Sequence, residues 1–180
     1  MMKWRRRADL TALVDPVEIG VRHYLDSLTL VAHVPPGAKV ADLGTGAGFP
    51  GVPLGIARPD VEVTLLETRE VKLAFLHHVI IALRRPNLRV ARTSERLETP
   101  PAERFGLVVA RAVADIGETL ERCADLLRPD GQVWVMRGPS RLGEADEHGR
   151  ARYGVIGELN VVLPVEAAVR RIVMYQRRPE

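Results

Sequence analysis

The chain has 180 residues, 46% of them hydrophobic, and carries no low-complexity tract; this suits a single globular domain (1–180) and excludes a disordered or fibrous protein. A formal net charge of +3 permits a nucleic-acid partner without requiring one, with basic residues bunched at Arg5-Arg6-Arg7, Arg84-Arg85, Arg170-Arg171 and Arg177-Arg178. No apolar run reaches membrane-spanning length, the first residues lack the apolar centre of a signal peptide, and Cys123 is the only cysteine, so a cytoplasmic monomer with no disulfide framework and no membrane partner is expected.

Residues 1–14 are basic and poorly patterned. Asp15-Pro16 is a helix-start signal, and Val17, Val21, Leu25, Leu28 and Ala32 recur at helical spacing up to Val34. Pro35-Pro36-Gly37 stops that helix, closing an N-terminal arm and helix over 1–36. A core over 37–138 then alternates strands and helices. Lys39–Leu43 reads as a buried strand running into a glycine-rich turn and a helix to about Ala57. Val61–Glu67 is a second strand, and Thr68 to Arg84 a long helix with Val71, Leu73, Ala74, Phe75, Val79 and Leu83 on its buried side. Leu88–Arg92 and Phe105–Ala110 are the third and fourth strands. Asp115–Leu127 is a helix closed by Arg128-Pro-Asp-Gly131, and Gln132–Arg137 is the fifth strand. Residues 139–180 form the sheet edge, with strands expected at Gly157–Pro164 and Ala167–Gln176. The order predicts a Rossmann-like α/β fold: a mostly parallel sheet, an antiparallel edge and helices on both faces.

The chemistry concentrates at Asp42-Leu-Gly-Thr-Gly-Ala-Gly-Phe-Pro-Gly51. Glycines let the backbone turn tightly and approach a ligand, and the following helix offers N–H groups at its start. Gly46-x-Gly48-x-x-Gly51 is also a formal dinucleotide fingerprint with Glu67 at the right distance, so spacing alone does not separate NAD from S-adenosylmethionine. Three features favour S-adenosylmethionine. Asp42 stands where it would repel a pyrophosphate but can orient the loop or accept from an amino group. The glycines begin at Gly44, in the Asp-x-Gly-x-Gly-x-Gly pattern of class I methyltransferases. Ser94-Glu95 follows the third strand, where such enzymes hold adenine.

Glu67 ends the second strand, where an acid can accept both ribose hydroxyls. After the fourth strand comes Ala110-Arg-Ala-Val-Ala114, with neither the Asn/Asp-Pro-Pro-Tyr/Phe motif that grips an exocyclic amine nor the Pro-Cys of covalent pyrimidine methylation. Arg111 there can meet the methionine carboxylate or an acceptor phosphate. His23, Asp26 and Ser27 share a helix face that reads as polar surface or as a roof over the cofactor. Cys123 reads as core, and adjacent His77-His78 point apart, so no metal site is expected.

His23-Tyr-Leu-Asp-Ser-Leu28, Val40-Ala-Asp-Leu-Gly-Thr-Gly-Ala-Gly-Phe-Pro-Gly-Val-Pro-Leu54, Ala57-Arg-Pro-Asp60 and Ala110-Arg-Ala-Val-Ala114 together resemble the RsmG (GidB) family over about residues 20–138. That family comprises bacterial methyltransferases acting on N7 of one guanine in 16S ribosomal RNA. The resemblance implies cofactor contacts at Gly44, Phe49, Ser94, Glu95 and Arg111, with Glu67, Thr68 and Arg69 near the ribose. It also implies that His23, Asp26 and Ser27 face the cleft. Three departures stand out: a short segment before His23, Arg137-Gly138 where the family has Lys-Gly, and a divergent stretch at 139–165. Guanine N7 carries a lone pair and no proton, so no general base is expected, only alignment in a dry site. The competing readings are a small-molecule methyltransferase, an inactive S-adenosylmethionine-binding protein and an NAD oxidoreductase.

Overall fold

The structure is a computed structural model that describes residues 4, 9–93, 104–111, 115–138, 152–163 and 169–178. It divides into two compact units, Met1–Arg96 and Leu97–Glu180.

The first unit begins with helix α1, whose opening turn is Pro16–Ile19. Asp15 caps it: its Oδ1 accepts from the Val17 N–H at 2.8 Å, and Pro16 fills the first helical position. The helix continues as a π-helical segment, Gly20–Leu25, and closes with the turn Asp26–Leu28. After it come β1 (Lys39–Leu43), α2 (Gly51–Ala57), β2 (Glu62–Glu67), α3 (Glu70–Leu83) and β3 (Leu88–Arg92). β2 pairs in parallel with both β1 and β3. The strands are rich in Val and Leu, and Val40, Val63, Leu65 and Leu66 are buried with Leu54 of α2 and Leu76 of α3.

Two polar side chains tie this unit together. Asn87 Nδ2 donates to the carbonyls of Gly55 and Val61, each at 2.9 Å, joining the end of α2 to the entries of β2 and β3. Arg58 Nη1 donates to the carbonyls of Val31 and Val34 at 2.9 and 2.8 Å, fixing the segment after α1 against the end of α2. Carbonyls at a helical C-terminus lack intrahelical donors, and a guanidinium satisfies two at once.

The second unit holds β4 (Phe105–Arg111), α4 (Ile116–Ala124), β5 (Leu127–Arg137), β6 (Tyr153–Val162) and β7 (Val169–Arg177). β4 and β5 pair in parallel, while β7 runs antiparallel to both β5 and β6. Asp115 caps α4, accepting from the Glu118 N–H at 2.8 Å. Leu120 and Cys123 of α4 are fully buried, as are Val108, Val133, Tyr153, Ile172 and Tyr175. The fold is therefore α/β, with parallel pairings through β5 and an antiparallel edge. Among the described residues no helix is long and apolar enough to cross a membrane.

Several expectations are corrected. α1 stops at Leu28 rather than Val34, and its buried residues are Ile19, Val21, Asp26 and Ser27, while Val17, Leu25 and Leu28 are exposed. The π-helical segment is the reason. Its wider turn bonds i to i+5, so the position beneath Val21 is Asp26, and the inward face shifts by one residue. In α3, Leu73, Phe75 and Leu76 are buried, whereas Val71 and Ala74 are exposed. α4 ends at Ala124, and the Arg128–Gly131 turn lies within β5, where the register jumps from Phe105↔Leu127 to Leu107↔Gln132. β6 begins at Tyr153 rather than Gly157; the expected start of the last strand, Ala167, lies outside the described residues.

Candidate active site

The site is built where β1 and β2 end. Asp42 is fully buried near the end of β1, and its Oδ2 accepts from Thr45 Oγ1 at 2.5 Å and from the Gly51 N–H at 2.7 Å. One carboxylate oxygen thus holds both ends of the glycine loop, so of the two roles open to Asp42 its bonds serve loop orientation. Gly51 must be glycine for this approach, since a Cβ there would lie 2.7 Å from Asp42 Oδ2 and 2.4 Å from Leu65 Cδ2.

Within the loop Gly44, Gly46 and Gly48 have φ of +69°, +58° and +90°, a region that L side chains adopt at a cost. Their surroundings differ. A Cβ on Gly44 would meet nothing within 4 Å, and one on Gly46 would meet only the Gly44 carbonyl and Lys72 Nζ, both at 3.9 Å. A Cβ on Gly48 would lie 2.6 Å from Val52 Cγ2. Gly44 and Gly46 therefore face open space that a small molecule can enter, while Gly48 faces the packing of α2 and α3.

Glu67 closes the other side and is buried at the end of β2. Its Oε1 accepts from the N–H groups of Thr68 and Arg69 at 2.8 and 3.1 Å, capping the start of α3, and its Oε2 accepts from the Gly46 N–H at 3.1 Å. The Thr45 N–H adds a bond to the Leu66 carbonyl at 3.0 Å. The loop is thus stitched to the end of β2 by backbone and side chain together. Arg69 forms an ion pair with Asp9 at 3.8 Å, between two exposed side chains.

α1 covers Phe49. The His23 and Phe49 rings stack with centroids 4.8 Å apart at 22°, and Tyr24 meets Phe49 edge-on at 5.0 Å and 83°. Phe49 is only 5% exposed and packs against these two rings. His23 Nε2 shares a hydrogen bond of 2.9 Å with Thr11 Oγ1, which also accepts from the Leu13 N–H at 3.2 Å. Asp26 and Ser27 are buried, and Ser27 Oγ donates to the His23 carbonyl at 2.5 Å. Asp26 and Ser27 thus turn inward, while His23 lies half-buried against Phe49.

Residues 1–171 match the family described as GidB, rRNA small subunit methyltransferase G. The chain belongs to this family. Ribosomal RNA small subunit methyltransferase G of Chromobacterium violaceum is 36% identical over 139 residues, covering 77% of this chain and 66% of its own length. The protein of the same name from Neisseria meningitidis serogroup B is 36% identical over 180 residues, covering 99% and 84%. The chain spans about two thirds of the first of these relatives (66%) and of a Desulforamulus reducens relative (65%). A TehB-like SAM-dependent methyltransferase from Corynebacterium glutamicum superposes with TM-score 0.62 at 18% identity, covering 98% of this chain and 95% of that one. A protein described as a predicted O-methyltransferase from Agrobacterium tumefaciens gives 0.63 at 21%, covering 87% and 80%. These likenesses show the fold, the Rossmann-like fold of class I methyltransferases.

Asp42, Gly44, Gly46, Gly48, Phe49, Glu67, Thr68, Arg69, His23, Asp26 and Ser27 all fall in the first unit, around one loop. Arg111 ends β4 in the second unit and is half-buried. Ser94 and Glu95, like Ala112–Ala114, lie outside the described residues. Thr11, Tyr24, Thr45 and Lys72 join the site without having been singled out in the sequence. Thr45 and Tyr24 carried a signal, by standing inside the glycine motif and inside His23-Tyr-Leu-Asp-Ser-Leu28; Thr11 and Lys72 arrive through tertiary packing.

Proposed function

We propose that the chain transfers a methyl group from S-adenosylmethionine to N7 of a single guanine in 16S ribosomal RNA of the small subunit, acting as a cytoplasmic monomer. The observation that carries this reading is the open ground over Gly44 and Gly46, bounded by Glu67, in a chain whose residues 1–171 match rRNA small subunit methyltransferase G.

The residues present fit the cofactor. Open space above two positive-φ glycines admits a ligand where any side chain would intrude. Asp42 holds the loop from below. The Glu67 carboxylate, with Thr68 and Arg69 beside it, would hold the ribose hydroxyls, and Ser94 and Glu95 the adenine. Arg111 holds the methionine carboxylate or an acceptor phosphate. When bound, S-adenosylmethionine supplies an electrophilic methyl group on sulfur, which is already a good leaving group.

No residue needs to take a proton, because guanine N7 presents a lone pair and carries none. The contribution of this chain is alignment and exclusion of water. α1 provides part of both, through the His23–Phe49 stack against the glycine loop. The guanine edge must be exposed, which suits an unpaired or unstacked base.

The test is transfer of labelled methyl from S-adenosylmethionine to naked small-subunit RNA and to particles lacking their own N7 methylation, followed by mapping of 7-methylguanine. Label at one guanine is the expected result. Absence of label on both substrates, with S-adenosylmethionine bound, overturns the RNA reading and directs the search to small-molecule acceptors.

A further inference from the structure

The far corner of the first unit carries a second basic feature. Arg84 and Arg85 end α3, and with Ile80, Ile81, Pro86 and Leu88 they line a shallow groove. Arg89 follows one residue into β3 and is exposed, as are Arg84 and Arg85. The other described arginines of this unit, Arg22, Arg58, Arg69 and Arg92, each pair with a carboxylate. Arg84, Arg85 and Arg89 pair with none among the described residues.

A second observation concerns the backbone. Arg84 is the C-cap of α3 at φ +51°, ψ +43°, a position that glycine or asparagine fills with less strain. A cation near a helix C-terminus gains from the dipole, but an arginine one residue earlier would gain that without the strain. Ile81 adds an exposed apolar side chain, 73% accessible, on the same groove.

We infer that Arg84 and Arg85, on the rim of this groove, form a docking surface for the phosphate backbone of the substrate RNA, away from the base being methylated. This rests on the ribosomal RNA reading above. Two adjacent guanidinium groups without carboxylate partners are complementary to successive phosphates, which position a protein on RNA without reading sequence. The register locates the groove: Glu67 lies level with Arg92, whereas Leu88, which lines it, lies level with Val63, roughly 13 Å down the sheet at about 3.3 Å per residue. The patch therefore grips a neighbouring part of a structured RNA and leaves the cofactor loop untouched.

The experiment compares wild type with the double variant Arg84→Gln, Arg85→Gln. The probe is a fluorescently labelled transcript of small-subunit RNA, titrated over a salt series, with methyl transfer and S-adenosylmethionine binding measured alongside. The expected result is a log Kd against log salt slope smaller by about 1.5 to 2, a Kd raised roughly fivefold at moderate salt, and an unchanged Kd for S-adenosylmethionine. KM for RNA rises with kcat preserved. Arg84→Gly separates docking from folding, since it relieves the strained backbone and raises thermal stability while still weakening RNA binding.

Wild-type methyl transfer to RNA with an unchanged salt slope in the double variant would overturn the docking surface and leave the enzymatic reading standing. That outcome would point to an acidic protein as the partner of the groove. A wild type that neither binds nor methylates the RNA would overturn both.

Discussion

The His23 ring lies stacked on the Phe49 ring at 4.8 Å, so the helix before the sheet and the loop after β1 are joined through aromatic contact. Phe49 is buried and also takes the edge of Tyr24. Phe49→Ala should destabilise the protein by about 3 kcal/mol, through lost burial, a cavity and lost ring contacts. His23→Ala, at a half-buried position, should cost about 1 kcal/mol. Both should weaken S-adenosylmethionine binding if α1 helps to hold the loop in shape. Chemical denaturation and calorimetric titration of the two variants check this. Undiminished cofactor affinity in a folded Phe49→Ala protein would show that the stack serves the fold alone.

Two glycines of one loop should respond oppositely. Gly46→Ala is strained by its positive φ, about 1 kcal/mol, but its new methyl meets nothing closer than 3.9 Å. It should fold and lose most of its affinity for S-adenosylmethionine, and Gly46→Val should lose binding altogether. Gly48→Ala places a methyl 2.6 Å from Val52 Cγ2 and 3.3 Å from Leu76 Cδ2, so folding itself should suffer. Thermal unfolding paired with cofactor titration separates the two. A Gly46→Val protein with normal affinity would sink the site assignment.

What could be read from the residues alone was what depends on neighbours in sequence. The glycine motif, the acid ending β2 and the alternation of strands with helices are local patterns, and Asp42, Gly46 and Glu67 do converge on one loop. The inward turn of Asp26 and Ser27 was not legible from periodicity. An α-helical wheel spaces residues for i to i+4 bonding, whereas the π-helical segment Gly20–Leu25 carries the buried face from Val21 to Asp26. Thr11 gave no signal, because its bond to His23 joins residues twelve apart through an irregular segment. The boundary between α4 and β5 was missed because Arg128-Pro-Asp-Gly131 reads as a loop, and pairing with β4 resumes around it.

Cys123 should be inert in the folded protein. It is fully buried on α4, and burial pushes its thiol up to about 12. The thiolate is the reactive form, so at pH 8 a thiol-specific disulfide reagent should label native protein very slowly and urea-unfolded protein at once. Native labelling as fast as unfolded labelling would mean that the second unit opens readily around α4.

Asp60 should make stability depend on acid. Its carboxylate accepts from Arg58 Nε and Nη2 at 2.8 and 2.7 Å and from the Gly37 N–H at 3.2 Å. The bonds to Arg58 first, and then that to Gly37, hold it well below the usual carboxylate range. The unfolded chain therefore takes up its proton at higher pH than the folded one. The stabilising contribution is complete above the ordinary carboxylate value of about 4 and is lost as pH falls through the lowered folded value. Asp60→Asn should melt at a lower temperature than wild type at pH 7, and the gap should narrow progressively below about pH 4. Because Arg58 also donates to the Val31 and Val34 carbonyls, the same substitution should loosen the segment after α1, read as faster amide hydrogen exchange at residues 29–34. Melting curves from pH 2 to 7 decide the matter: a gap that stays constant, or widens in acid, would show that this ion pair contributes nothing to folding.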